Sequence, residues 1–223
     1  PILSDPLVHD YSEYLLYRLA EHSELRDRRL ELVVIKSPAL NAFAVPGGIV
    51  GINAGLFISA HTEQEFSSVV AHELAHLSQR HYSRNVEEAK RKQIPSMAAL
   101  LASIVIAAAA GGEAGMAAIT ATQAAILDGQ LRFSRQNEQE ADRIGLKTLV
   151  SAGMNPNAMA SMFERMLASQ RLLGSRPPEF LLTHPVTESR VSDARNRAAQ
   201  LGQGTYRESI EYYLMKNRIL LKF

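Results

Sequence analysis

Apolar residues recur at helical spacing over most of the chain. Between residues 5 and 27 they fall at Leu7, Tyr11, Tyr14, Leu15 and Leu19, which places them on one helix face. Residues 29–38, RLELVVIKSP, alternate instead and are β-branched, which predicts a strand closed by Ser37-Pro38. In NAFAVPGGIVGINAGLF the centre, Pro46-Gly47-Gly48, separates short extended pieces at 41–45 and 49–52. That turn signal predicts a hairpin or a sharply bent strand. A long helix is predicted from residue 63 to about 92, with Pro95 and Gly111-Gly112 as breakers framing an alanine-rich helix. Helices at 114–133 and 135–152 follow, the second stopped by Gly153 and Asn155-Pro156. A helix at 157–171 carries Met159, Met162, Phe163 and Met166 on one face. Residues 172–185 read as a loop rich in proline and glycine, before two last helices at 187–201 and 206–221. The fold class is therefore mainly α with a small β-sheet (α+β).

The 223 residues, 46% of them hydrophobic, suffice for one domain with a substantial core. A formal net charge of +1, with basic residues scattered among acidic ones, gives no electrostatic case for nucleic acid. The chain has no cysteine, so a metal here must be held by His, Asp or Glu. It opens at Pro1 without a leader pattern, and the expectation is a trimmed or mature chain whose signal peptide has been removed. The longest apolar stretch, residues 96–110, spans roughly 22 Å as helix against about 30 Å of hydrocarbon. It reads as a core helix, or as an apolar flap that touches a membrane surface or an unfolded client. The last predicted helix ends on an apolar run that wants a partner. Residues 1–202 are expected to form one domain, and 203–223 a C-terminal helix leading into a further module.

The chemistry concentrates in VVAHELAHLSQRH, residues 69–81. His72 and His76 are four apart, so both imidazoles project to one helix face and can reach one ion. Glu73 is turned about 100° from His72, beside the ion rather than on it, where it can take a proton from an attacking water. The plain alternative is a helix that happens to carry histidines. Val70, Ala71, Leu74, Ala75 and Leu77 argue against it, because imidazoles facing an apolar interior are costly to leave unpaired. The longer HExxHxxGxxH pattern would need glycine at position 79 and histidine at 82, where this chain has Gln79 and Tyr82. A third ligand is sought in SRQNEQEADRIG, residues 134–145. Glu138 and Asp142 share a helix face, whereas Glu140 is turned about 200° from Glu138. Glu138 is assigned as the ligand, and Asp142 as its companion, accepting the outer N–H of a liganding histidine. His9, His22 and His61 read as solvated, and His81 lies off the metal face.

HELAH followed by EQEAD resembles the minimal gluzincin family of HtpX, BepA and the CAAX prenyl endopeptidases. NAFAVPGGIVGINAGL, AGMNP and HPVTESR resemble further elements of that family, in the same order, and the likeness covers roughly residues 38–200. It is strongest to the soluble, BepA-like periplasmic branch, in which a tetratricopeptide module commonly follows the protease domain. The resemblance implies a zincin-like metallopeptidase fold, one Zn2+ held by His72, His76 and Glu138, and Glu73 as general base. It implies substrate binding along 41–52, through Asn41, Ala42, Phe43, Ala44, Gly47 and Gly48, by strand addition to an exposed edge. His184 and Arg190 are further catalytic candidates, since either could donate to a developing oxyanion. Arg190 could instead pair with a carboxylate and fasten the loop. His184 could fill the open metal position and silence the enzyme, moving between a blocking and a catalytic place. The expectation is a periplasmic zinc endopeptidase acting on unfolded or misfolded envelope proteins, with outer-membrane assembly machinery and a membrane surface as further partners. The competing expectation is a chaperone-like peptide-binding module whose metal is structural or masked.

Overall fold

The computed structural model describes residues 1–110, 112–173, 177–201 and 206–223. Asp5, in extended backbone, caps the first helix by accepting from Val8 N at 3.4 Å, and Pro6 suits the first helical position. The helix, α1 (Pro6–Glu21), buries Leu15, Leu16 and Leu19. Three strands follow, β1 (Glu31–Ile35), β2 (Ala42–Val45) and β3 (Ile49–Asn53). They form a sheet of order β1-β3-β2, in which β1 is parallel and β2 antiparallel to the central β3. The extended pieces around Pro46-Gly47-Gly48 thus form a hairpin, with Val45 opposite Ile49. Gly47 and Gly48 take φ of 100° and 86°, backbone that a side chain disfavours.

Among the described residues the helices continue as α2 (Ala54–Ser59), α3 (Glu63–Ser78), α4 (His81–Ala110), α5 (Gly112–Ser151), α6 (Asn157–Leu173), α7 (Glu179–Thr183), α8 (Glu188–Gln200) and α9 (Ile210–Leu220). Two compact units result. One comprises Pro1–Gln79 with Gln139–Phe223, the other Arg80–Glu138. The core of the first gathers α1, the sheet, α3 and α6, including Met159, Met162, Phe163 and Met166 as expected. Phe57, Phe66 and Tyr212 stack with centroids 4.3 to 5.9 Å apart, which fastens α9 to α2 and α3. The expected boundary at 202/203 lies outside the described residues.

Four features depart from the sequence reading. The helix expected to run from 63 to 92 breaks after Ser78, where Arg80 adopts a φ of 55°; no glycine marks that left-handed turn. Pro95 lies inside α4 rather than ending it, because strong helix formers on both sides offset one missing hydrogen bond. The helices expected at 114–133 and 135–152 are a single α5. Gly129 costs a helix only about 1 kcal/mol, too little to stop it. Gly111, half of the other expected breaker, lies outside the described residues. The expected loop at 172–185 contains the short α7, with 174–176 outside the described residues.

The C-terminal helix is held to the first by charge. Arg218 Nε and Lys222 Nζ lie 2.7 and 2.8 Å from the buried Asp5 carboxylate. Burial alone would raise the Asp5 pKa, but the hydrogen bonds from Lys222 and Arg218 outweigh it and hold it at about 2. A carboxylate with a depressed folded pKa contributes stability above its unfolded pKa and loses it as pH falls through the folded one. Asp5→Asn should therefore cost roughly 1–2 kcal/mol at pH 7. That cost should shrink between pH 4 and pH 2 in denaturant melts of the two proteins.

Candidate metal centre

Thr62 caps α3, accepting from Glu65 N at 3.1 Å, and Glu63 and Glu65 occupy its acidic first turn. Every residue from Glu63 to Ala75 is buried, so this is a core helix rather than an amphipathic one. His72 and Glu73 are 1% and 2% exposed. Polar groups so placed must find partners. The His72 Nδ1 atom lies 3.0 Å from Asp142 Oδ1, which makes Nδ1 the protonated nitrogen and turns the Nε2 lone pair inward. The Nε2 atoms of His72 and His76 are 3.0 Å apart. Ligand atoms of His72, His76, Glu138 and His184 all lie within 4.8 Å of one another.

Glu138 and Asp142 stand one turn apart on α5. Asp142 is gripped by Arg190, whose Nε and Nη2 each donate to one of its oxygens at 2.7 Å. A third Arg190 nitrogen donates to Pro185 O at 2.8 Å, and the guanidinium lies 4.7 Å from the Phe163 ring centre. Burial alone would raise the Asp142 pKa, but His72 and Arg190 more than offset it and hold the carboxyl below its usual range. Gly145 allows α5 this close to α3, since a Cβ there would sit 3.1 Å from His72 N and 3.2 Å from Ala71 O.

The other wall comes from the sheet and α7. β2 is an edge strand, and Asn41 and Val45 carbonyls accept from Asn53 and Gly48 on the β3 side. By antiparallel alternation the main-chain groups of Ala42 and Ala44 face outward. Ala44 N donates to Glu73 Oε2 at 3.2 Å. Phe43 lays its ring over Gly51, where a Cβ would come within 2.2 Å of it. Phe180 N donates to Leu40 O at 3.3 Å and Asn41 Nδ2 to Glu179 Oε2 at 3.2 Å, so α7 is pinned to the start of the edge strand. Just after α7, His184 places Nε2 3.5 Å from Glu73 Oε1. Its ring centre lies 4.8 Å from that of His76 and 5.2 Å from that of His72.

The predicted histidines, Glu73, Glu138 and His184 are thus brought together, with Asp142 and Arg190 behind His72. The hairpin carries Asn41, Ala42, Phe43 and Ala44 past Glu73 and places Gly47 and Gly48 at its turn. Phe180 was missed by the sequence reading, although its ring centre lies 4.8 Å from that of His184. Its only signal was an apolar run, EFLL, inside a segment otherwise rich in proline and glycine. His81 is buried and outside this group.

The residues fit a divalent ion. Glu73, Glu138 and Asp142 are all buried, and Arg190 is the one buried guanidinium or ammonium among the described residues. Three carboxylates against one cation leave a deficit of two positive charges, which one divalent ion closes. Two imidazoles and a carboxylate also suit a borderline metal.

Comparisons with known proteins agree. Residues 7–198 match the family model described as Peptidase family M48. The chain is 41% identical over 220 residues to the beta-barrel assembly-enhancing protease of Escherichia coli K12, covering 99% of this chain and 45% of the relative. For the protein of the same name in Yersinia pestis the identity is 39% over the same shares. The mitochondrial metalloendopeptidase OMA1 of Schizosaccharomyces pombe is 32% identical over 181 residues, 81% of this chain and 50% of that protein. The chain therefore spans about half the length of these relatives.

Proposed function

The chain belongs to peptidase family M48, and from that premise we propose that it is a zinc-dependent endopeptidase. The observation that carries the reading is the convergence of His72, His76 and Glu138 with Glu73 alongside. Two nitrogens and one carboxylate form the donor set of catalytic zinc sites that keep an open position. When bound there, zinc would supply Lewis-acid polarisation of a peptide carbonyl and a hydroxide-like nucleophile near neutral pH.

The chain's own residues supply the rest. Glu73 accepts the proton given up by the attacking water and passes it to the leaving amine. Asp142, held by Arg190, fixes the His72 tautomer and ring orientation. The outward groups of Ala42 and the outward carbonyl of Ala44 pair with an extended substrate as an added strand, a mode that depends little on side chains, while Ala44 N stays on Glu73. Incompletely folded proteins would satisfy it.

His184 acts as a stopper. With its ring beside His72 and His76, the metal would have four protein ligands and no open place, the arrangement of a structural rather than a catalytic site. Hydrolysis then requires His184 to swing out with α7, freeing the edge strand at Leu40 and Asn41 at the same time. In the open state His184 can donate to the developing oxyanion. His184→Ala should change cleavage of an unfolded substrate about tenfold or more, upward where loss of the stopper outweighs loss of the oxyanion donor and downward where it does not, tenfold being a shift of about 1.4 kcal/mol. The absorption spectrum of the cobalt-substituted protein should change alongside. Unchanged cleavage with an unchanged spectrum would remove both roles.

The names of the Escherichia and Yersinia relatives support a task in the cell envelope. The proposed substrates are misfolded outer-membrane β-barrel proteins, met in the periplasm together with their assembly machinery. Among the described residues no helix is long and apolar enough to cross a membrane, which accords with that placement.

A further inference from the structure

Residues 93–127 contain a single ionisable side chain, Glu113. They lie in the second unit, on α4 and the first part of α5. On α4 the residues Ile94, Met97, Leu101, Ile104 and Val105 recur at three-and-four spacing, and each is more than half exposed, Ile94 by 79% and Val105 by 68%. On α5 Met116 and Leu127 are 64% and 55% exposed. A continuous stripe of exposed aliphatic side chains marks a surface meant for an apolar partner.

Charge identifies the partner. The two helices lie side by side, with Asn137 Nδ2 donating to Asn85 Oδ1 at 2.9 Å. The residues that flank the apolar run therefore share one level of the pair. Before the run stand Arg84, Lys90, Arg91 and Lys92 against Glu87 and Glu88; after it stand Arg132 and Arg135 against Asp128. Both flanks carry excess positive charge. Arg91 is 77% exposed. An apolar groove of about 690 Å³ also opens between the helices, lined by Met97, Leu100 and Ile126 together with Lys90 and Lys92. An apolar stripe with a basic girdle at one end matches the layering of an anionic lipid surface, hydrocarbon beneath phosphate. A polypeptide client would need neither the girdle nor its constant level.

We propose that this helical pair is a membrane-docking arm: its aliphatic stripe enters one leaflet of an anionic bilayer while the basic residues at its base meet the headgroups. Among the described residues neither helix is long and apolar enough to cross, and the proposed insertion is into one leaflet. The inference stands apart from the catalytic reading.

The absence of cysteine makes Ile104→Cys, labelled with an environment-sensitive fluorophore, a single-site probe. With vesicles of phosphatidylethanolamine and phosphatidylglycerol the probe should shift to the blue and the protein should sediment with the lipid. Binding should be at least tenfold weaker on phosphatidylcholine vesicles or in 0.5 M salt. Adding Leu101→Glu and Val105→Glu, both at exposed positions, should weaken binding to anionic vesicles at least tenfold while circular dichroism stays unchanged. Absence of binding to anionic vesicles, or equal binding by the double-glutamate protein, would overturn the proposal. So would a blue shift given by a reduced, unfolded polypeptide and not by vesicles, which would mark the arm as a client site.

Discussion

Glu73→Gln should abolish peptide-bond cleavage while leaving the metal and the bound peptide in place. The glutamine keeps the shape of the side chain and can still accept from Ala44 N, which lies 3.2 Å from the Glu73 carboxylate. What it loses is the capacity to take a proton. General-base assistance contributes about 10²- to 10⁴-fold, and cleavage of a fluorogenic unfolded substrate should fall by that factor. Metal content should remain one ion per chain, and affinity for a non-cleaved extended peptide should change little. The competing chaperone-like reading expects something else, because a binder has no use for a base beside its ion. Cellular activity that survives Glu73→Gln would favour that reading.

The second large effect lies behind the metal. Arg190→Met should destabilise the fold by about 3–5 kcal/mol, the usual result of leaving a buried charge without its partner. The Asp142 carboxylate would keep only the His72 contact at 3.0 Å. The double variant Arg190→Met, Asp142→Leu should recover part of that stability, because no buried charge is stranded. A purely structural role would stop there. If Arg190 positions the metal ligand through Asp142, both variants should also bind zinc about 10- to 100-fold more weakly. Loss of stability with metal affinity unchanged would confine Arg190 to fastening the loop.

Much of the site was legible because its parts are local patterns. The four-residue spacing of His72 and His76, and that of Glu138 and Asp142, each fix a shared helix face without knowledge of the tertiary structure. Pro46-Gly47-Gly48 announced the hairpin because its glycines serve a backbone that other residues resist. The pinning of α7 to Leu40 and Asn41 was not legible, since it joins segments about 140 residues apart through one main-chain and one side-chain bond. For Arg190 the sequence left two roles open, and only the position of Asp142 shows which carboxylate it holds. The break at Arg80 carried no glycine to signal it. The continuity of α4 through Pro95 shows the reverse error, in which a residue read as a breaker yields to strong helix formers on both sides.

X-ray absorption at the zinc edge, combined with metal analysis of the purified chain, tests the central claim most directly. The account predicts one zinc per chain, bound by imidazole nitrogen and carboxylate oxygen at about 2.0–2.2 Å, with the site emptied by Glu138→Ala. Zinc held with full occupancy and an unchanged spectrum in Glu138→Ala would contradict it, as would a chain that retains no stoichiometric metal at all.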